Sequence, residues 1–353
     1  MSSWMIYGAY GYTGRLVVME ALRRGHRPVL AGRAREPLAE MAGDLGLPYR
    51  AFSLADPGAV AEALYGQAAV LHCAGPFVHT SAPMVQGCLA TGTHYVDITG
   101  EIPVFQQIFE CDAKARERNV ALLPGAGFDV VPSDCLAKYV AERLPTATHL
   151  ELHIAAGERT SIGTARSVLE QLPRGGLVRT HGRLVEHRLG QGGKTVRFGD
   201  GVERRVLPIP WGDLETAWHS TGIDHIATYM AAPPGAEGAL KLFGGALRRA
   251  LSSAPIRKAA MRLASDFAQP PDAAERRTGH SHFHAVARDE QGNEVEAWLD
   301  APEPYALTAM TAVRIVERLI DEKKAGALTP AMAFGADFVL EFPGVRRRDR
   351  LTA

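Results

Sequence analysis

Three glycines at fixed spacing, in Gly8-Ala9-Tyr10-Gly11-Tyr12-Thr13-Gly14, are the first residues of the chain able to do chemistry. Without a Cβ the backbone turns sharply, its N–H groups approach a phosphate closely, and a helix starting there adds partial positive charge. The apolar run 4–7 precedes the trio and a helical stretch from Arg15 follows it. That is the context in which such glycines cradle the pyrophosphate of a dinucleotide. Gly8, Tyr10, Gly11, Tyr12, Thr13 and Gly14 are therefore the candidate cofactor-binding residues of this turn. About 20 residues further on, an NAD site usually presents a carboxylate to the ribose 2′-hydroxyl. Here Arg33 stands in that place, followed by Arg35. A guanidinium suits a 2′-phosphate, so the expected cofactor is NADP(H).

Further candidates sit where later apolar runs end. Cys73-Ala74-Gly75-Pro76-Phe77 follows the fourth run and should border the nicotinamide half of the cofactor. Cys73 has no evident histidine partner and reads as a small strand-end residue rather than a nucleophile. His94–Glu101 and Gly125–Asp134 follow with carboxylates, and Tyr95, Glu101 and Asp129 are the proton-transfer candidates among them. Each acid also has a plainer reading: Asp97 as a satisfied strand-end acid, Asp129 as a turn former, Asp134 as a helix cap. In the second half His219 is the polar candidate. His280, His282 and His284 alternate onto one strand face without a local acidic or cysteine partner, so no metal is expected.

The elements that must position these groups alternate in the first 130 residues. Strands are expected at 4–7, 28–31, 49–53, 69–73, 95–98 and 120–123, with helices at 15–24, 36–45, 57–64, 84–90 and 104–118. This rhythm fits a Rossmann-like, doubly wound parallel sheet. Beyond Pro132 a helix is expected at 133–143, then strand-like runs at 150–155, 177–187, 195–208 and a hairpin over 282–299. The expected fold class is α/β, with a second α+β domain on a mostly antiparallel sheet. The expected divisions are 1–131 for NADP binding, 132–304 for substrate, and 305–353 as a helix and tail returning to the first domain.

Composition narrows the class. With 353 residues, 39 basic against 39 acidic side chains and 46% hydrophobic residues, the chain reads as a two-domain globular protein. Zero formal charge argues against a nucleic-acid partner. No apolar run reaches the ~20 residues of a membrane span, no secretory leader is visible, and none of the four cysteines forms a C-x-x-C pair. A cytoplasmic location is expected. Residues 240–266 interleave six basic side chains with leucines and Phe243, a pattern that suits an ordinary surface helix or a peripheral lipid or acyl-carrier contact. The partners expected are a small-molecule substrate and at most a second copy of the chain, as a homodimer.

Gly8–Gly14, 72–77, 95–101 and 125–134 together resemble the saccharopine dehydrogenase-like family. In the second half, Gly163–Ser167, Gly175–Arg179, Ile209–Asp213 and Ala217–Gly222 resemble its trans-acting enoyl reductase and uncharacterised bacterial branch. The resemblance implies a Rossmann domain with an inserted substrate domain and NADP-dependent hydride transfer in the cleft between them. The residues by which a true saccharopine reductase grips its dicarboxylate substrate are not matched, so saccharopine itself is not the expected substrate. The alternatives are reduction of a carbon–carbon double bond on an acyl or lipid-linked substrate and, in another class, a non-catalytic NADP-sensing protein.

Overall fold

In the computed structural model, described for residues 3–157, 175–267 and 269–351, the chain forms two units. The first joins Met1–Val131 to Tyr305–Ala333, and the second joins Pro132–Pro304 to Phe334–Ala353. The C-terminal 49 residues expected to return together (305–353) are thus divided. The helix Pro304–Asp321 and the short strand Gly326–Ala327 serve the first sheet, while Arg346–Arg348 pairs with Glu294–Pro302 in the second.

The first unit runs β1 (Trp4–Tyr7), α1 (Tyr12–Arg23), β2 (Val29–Gly32), α2 (Arg35–Leu45), β3 (Tyr49–Ala51), α3 (Pro57–Leu64), β4 (Ala69–His72), α4 (Phe77–Thr91), β5 (His94–Asp97), α5 (Ile102–Phe109), α6 (Asp112–Glu117) and β6 (Ala121–Leu123). Every pair in the sheet is parallel, in the order β6-β5-β4-β1-β2-β3, with Gly326–Ala327 outside β6. Strands β1, β2 and β4 are buried along their whole length, as helices on both faces of a parallel sheet require. The strand order reverses between β1 and β4, where Tyr7 lies opposite His72. The crevice at a topological switch point lies at the carboxyl ends of these strands.

Two helices depart from expectation for non-local reasons. α4 begins at Phe77 rather than residue 84, because a carboxylate from the β5–α5 loop receives its first amides. The helix expected over 104–118 is two, α5 and α6. Asp112 at the start of α6 accepts the Ala327 amide at 2.8 Å, which ties α6 to the returning strand.

The second unit is built on a nine-stranded sheet. Its main path runs Lys194–Arg197, Glu203–Pro208, His225–Ala231, His149–Ala155, His280–Arg288, Glu294–Pro302 and Arg346–Arg348, with the hairpin Gly176–Thr180/Arg183–His187 attached through His225–Ala231. Among the described residues only the His225–Ala231/His149–Ala155 pair is parallel; the rest are antiparallel. The expected runs 177–187 and 195–208 each fold back as hairpins, turning at Gly182 (φ 71°) and Gly201 (φ 79°).

Candidate functional site

The glycine turn is held together by close backbone contacts. A Cβ on Gly14 would stand 2.1 Å from the Gly8 carbonyl oxygen, and one on Gly8 would meet Cys73 and Ala74 at 3.0 Å. Gly8 also has φ 86°, which favours glycine. The loops after β1 and β4 therefore touch, and only glycine fits where they do. α1 starts at Tyr12, inside the turn, with no side chain capping its N-terminus. Its first amides supply the positive end of a helix where a pyrophosphate would lie. Tyr10 folds over the end of β2: its ring would lie 2.7 Å from a Gly32 Cβ, and its hydroxyl accepts the Ala34 amide at 3.4 Å. Tyr12 packs edge-on against Tyr305. Arg33 and Arg35 are exposed just beyond. An uncapped helix start, a glycine cradle and two cations at the β2 tip fit NADP(H), with Gly8, Gly11, Gly14 and the α1 amides to hold the pyrophosphate and Arg33 the 2′-phosphate.

The fourth strand ends in a second polar knot. His72 is fully buried among Tyr7, Phe77 and Tyr95, and its Nε2 lies 2.9 Å from the Thr80 hydroxyl, which donates to the Ala74 carbonyl at 2.8 Å. Burial lowers its pKa to about 3, so the ring is neutral and braces the loop without carrying charge. Burial also raises the Cys73 thiol, with the Asp97 charge adding to it, which favours its protonated form. Gly75 and Pro76 join through a cis bond, and Pro76 leads into Phe77 at the start of α4. The bracing role of His72 and Thr80 has no motif in the sequence; a histidine inside an apolar strand is its only trace.

Three acids gather at the ends of β5 and β6. Asp97 is fully buried: its Oδ2 accepts the Tyr95 hydroxyl at 2.7 Å, and its Oδ1 accepts the Thr99 and Gly125 amides at 3.0 and 2.9 Å. Burial raises its pKa to about 6 against the lowering effect of those bonds. Glu101, 2% exposed, receives the Phe77 amide on Oε1 at 2.9 Å and the Val78 amide on Oε2 at 2.8 Å. It thereby caps α4 from another loop. Asp129 lies on the turn after β6, half-buried, its carboxyl against Gly100, where a Cβ would come within 2.8 Å of Oδ2. Its pKa is pushed up to about 7, first by burial and then by the charge of Glu101. The turn is pinned from the returning helix, where Thr308 Oγ1 accepts the Phe128 amide at 3.0 Å and Thr311 Oγ1 lies 2.7 Å from the Ala126 carbonyl. Both threonines are some 180 residues distant in the chain, so no local pattern announces them.

Of the four expected catalytic residues, the structure brings Tyr95, Glu101 and Asp129 to one edge of the first sheet. The Tyr95 hydroxyl is fully buried on Asp97, and burial raises its pKa well above the usual phenol range. Glu101 has an amide on each oxygen. Both side chains are thus engaged by neighbouring groups of the fold. His219 belongs to the second unit, in the helix Asp213–Thr221 beside Trp218. Gly163–Ser167 lie outside the described residues. Arg179, from the Gly175–Arg179 block, forms a buried pair with Glu215 at 2.8 Å and donates to the Leu214 and Gly182 carbonyls at 2.6 Å each. It fastens a hairpin to a helix. His282 and His284 do find acids, Asp300 at 2.8 Å and Glu296 at 3.0 Å, both on the neighbouring strand. Among the described residues no group of three or more His, Cys, Asp or Glu side chains could hold a metal ion.

Comparison with known proteins agrees with this geometry. Residues 4–123 match the family model of the saccharopine dehydrogenase NADP binding domain. A saccharopine dehydrogenase-like oxidoreductase of Bos taurus is 29% identical over 177 residues, 43% of this chain and 41% of that protein. A trans-acting enoyl reductase of Mycobacterium leprae is 33% identical over 138 residues, 37% of this chain and 33% of that one. The matched portion is thus about two fifths or less of these relatives' length. An apo saccharopine dehydrogenase (L-Glu forming) of Saccharomyces cerevisiae superposes with a TM-score of 0.68 over 99% of both chains at 10% identity, a likeness of fold. The resemblance read from the sequence and the α/β fold class are both borne out, and residues 4–123 are similar to the saccharopine dehydrogenase NADP binding domain.

Proposed function

We propose that the chain is an NADP(H)-dependent oxidoreductase that moves a hydride to or from a small molecule, with Asp129 handling the accompanying proton. The observation that carries this reading is a carboxyl poised near pH 7 on the same sheet edge as an uncapped, glycine-led helix start. The bound nicotinamide supplies the hydride chemistry. The chain's own residues do the remainder. The glycine turn and α1 hold the diphosphate, and Arg33 pairs with the 2′-phosphate. Glu101 and His72 fix the 73–78 segment, and Asp97 with Tyr95 fixes the turns after β5 and β6. A group with a pKa near the working pH holds and releases a proton with little penalty, so Asp129 is the proton donor in reduction and the acceptor in oxidation. His219 remains a proposed substrate contact of the second unit.

The similarity to a trans-acting enoyl reductase favours, as a second reading, reduction of a carbon–carbon double bond on an acyl substrate. NADPH oxidation measured against imines, ketones and enoyl thioesters separates the readings; tight cofactor binding without turnover on any of them would instead favour a sensor. The cofactor assignment has its own test. Arg33→Asp should weaken NADPH binding by at least about tenfold while sparing NADH, since a hydrogen bond to a charged group is worth about 1.5–3 kcal/mol. Arg35→Asp belongs in the same titration, because Arg35 can substitute for Arg33. If the double variant binds both nucleotides as wild type does, the NADP assignment fails.

A further inference from the structure

Exposed apolar side chains are unevenly spread over the molecule. Five of the twelve large ones among the described residues fall in one stretch: Leu242, Phe243, Leu247, Ile256 and Leu263. Leu242 and Phe243 are 78% and 67% exposed. They belong to two consecutive helices of the second unit, Ala236–Ser252 and Ala254–Phe267, packed against each other. The inner side of the first helix is committed. Gly244 lies against Leu189, Leu251 is buried, Glu237 pairs with Arg205 at 2.8 Å, and Arg248 pairs with Glu186. The outer side repeats Ala239, Phe243, Leu247 and Ala250 at helical spacing, with Leu242 and Ala246 alongside. Ile256, Ala259 and Leu263 form a similar exposed strip on the second helix.

Charge on this hairpin is one-sided. Residues 236–267 hold six cations (Lys241, Arg248, Arg249, Arg257, Lys258 and Arg262) against two carboxylates, Glu237 and Asp266, in a chain of zero formal charge. Arg249, Lys258 and Arg262 are exposed, and Arg249 and Lys258 make no ion pair among the described residues. A second copy docking face to face would set this cationic surface against itself, which opposes self-association. A nucleic acid would satisfy the cations and leave the leucines and Phe243 in water. A bilayer with anionic headgroups answers both, taking the apolar side chains at the acyl boundary and the cations at the phosphates.

We propose that this two-helix hairpin docks the protein on anionic lipid surfaces as a peripheral, in-plane anchor. No described helix is long and apolar enough to cross a membrane, so the contact is interfacial. The inference is independent of the redox reading.

Flotation of the full chain with phosphatidylcholine vesicles, with and without about one third phosphatidylglycerol, tests it. The expected result is at least about tenfold tighter partitioning onto the anionic vesicles, weakening as salt is raised. The double substitutions Leu242→Ser with Phe243→Ser, and Lys258→Glu with Arg262→Glu, should each reduce partitioning by about tenfold or more without lowering the Tm. Phe243→Trp supplies a reading that does not depend on those variants folding: its emission should shift blue and be quenched by brominated acyl chains. Equal partitioning onto neutral and anionic vesicles, absence of vesicle binding, or no quenching would overturn the proposal. So would a stable dimer that the serine variants dissociate.

Discussion

The carboxyl edge of the first sheet and the open face of the second both bury titratable side chains, with opposite consequences. On the second sheet four rings stack across adjacent strands, Tyr229, His153, His284 and Trp298, with centroids 5.0, 5.1 and 4.7 Å apart. His153, His284 and Trp298 line a groove of about 710 Å³ together with Glu151, Lys194, Arg288 and Glu296. Burial lowers His153 to about 3 and His284 to about 4. On the first sheet burial raises Asp97 to about 6 and Asp129 to about 7. In each case burial favours the neutral form, but it carries histidines away from neutral pH and acids toward it. The carboxyls of the first region are brought toward the pH at which they exchange protons. In the second region His153 and His284 are held neutral within a packed ladder of rings.

Asp129→Asn breaks that comparison most sharply. Turnover in the proposed reaction should fall by about 10²–10⁴, with NADPH affinity nearly unchanged. In the reduction direction the wild-type rate should decline as pH rises through about 7, and the variant should lose that limb. Stability should move the other way. A carboxyl whose folded pKa exceeds its unfolded value binds more protons in the native state between about 4 and 7, so the fold loses stability as pH rises across that window. The variant should therefore be more stable than wild type at pH 8, with the gain vanishing near pH 4. Loss of turnover without either pH signature would return Asp129 to a turn role.

Glu101 gives the next largest effect. Glu101→Ala leaves the Phe77 and Val78 amides at the head of α4 without their acceptor, at a cost of about 1.5–3 kcal/mol in urea unfolding. Glu101→Gln is more informative. It removes the charge that helps raise Asp129, so the pH limb of turnover should shift to lower pH. A limb that stays in place would show that the two acids are not coupled.

What the sequence made legible was local. The glycine turn, the alternation of strands and helices, and the missing carboxylate at the β2 tip each sit within one short segment, where spacing and side-chain type decide the conformation. The start of α4 was not legible, because its cap comes from Glu101 on another loop. Nor was the break between α5 and α6, since Asp112 answers a strand some two hundred residues away. Tyr95 shows the same limit within the site. Its place at a strand end suggested a proton donor, whereas its burial and its bond to Asp97 depend on the neighbouring strands. The ring ladder depends on register across four strands, which no single strand encodes.

The smallest effect belongs to the ladder itself. His153 is 1% exposed, and neither ring nitrogen has a hydrogen-bond partner among the described residues. Its nearest carboxylate oxygen, on Glu151, is 3.8 Å away. A buried imidazole in this state loses the hydration it has in the unfolded chain and recovers only packing. Phenylalanine keeps the ring between Tyr229 and His284 and removes both polar atoms. His153→Phe should therefore be neutral to stabilising at pH 8, by up to about 1 kcal/mol. The sign of the pH dependence follows from the lowered pKa. The unfolded histidine takes up a proton below about 6.5 and the folded one does not until about 3, so wild type loses stability as pH falls through that window. The advantage of the variant should accordingly widen between pH 7 and pH 5 in thermal melts. A variant destabilised at pH 8, with an acid slope equal to that of wild type, would mean that His153 has a partner in solution and that the second sheet's face is not the inert counterpart of the first.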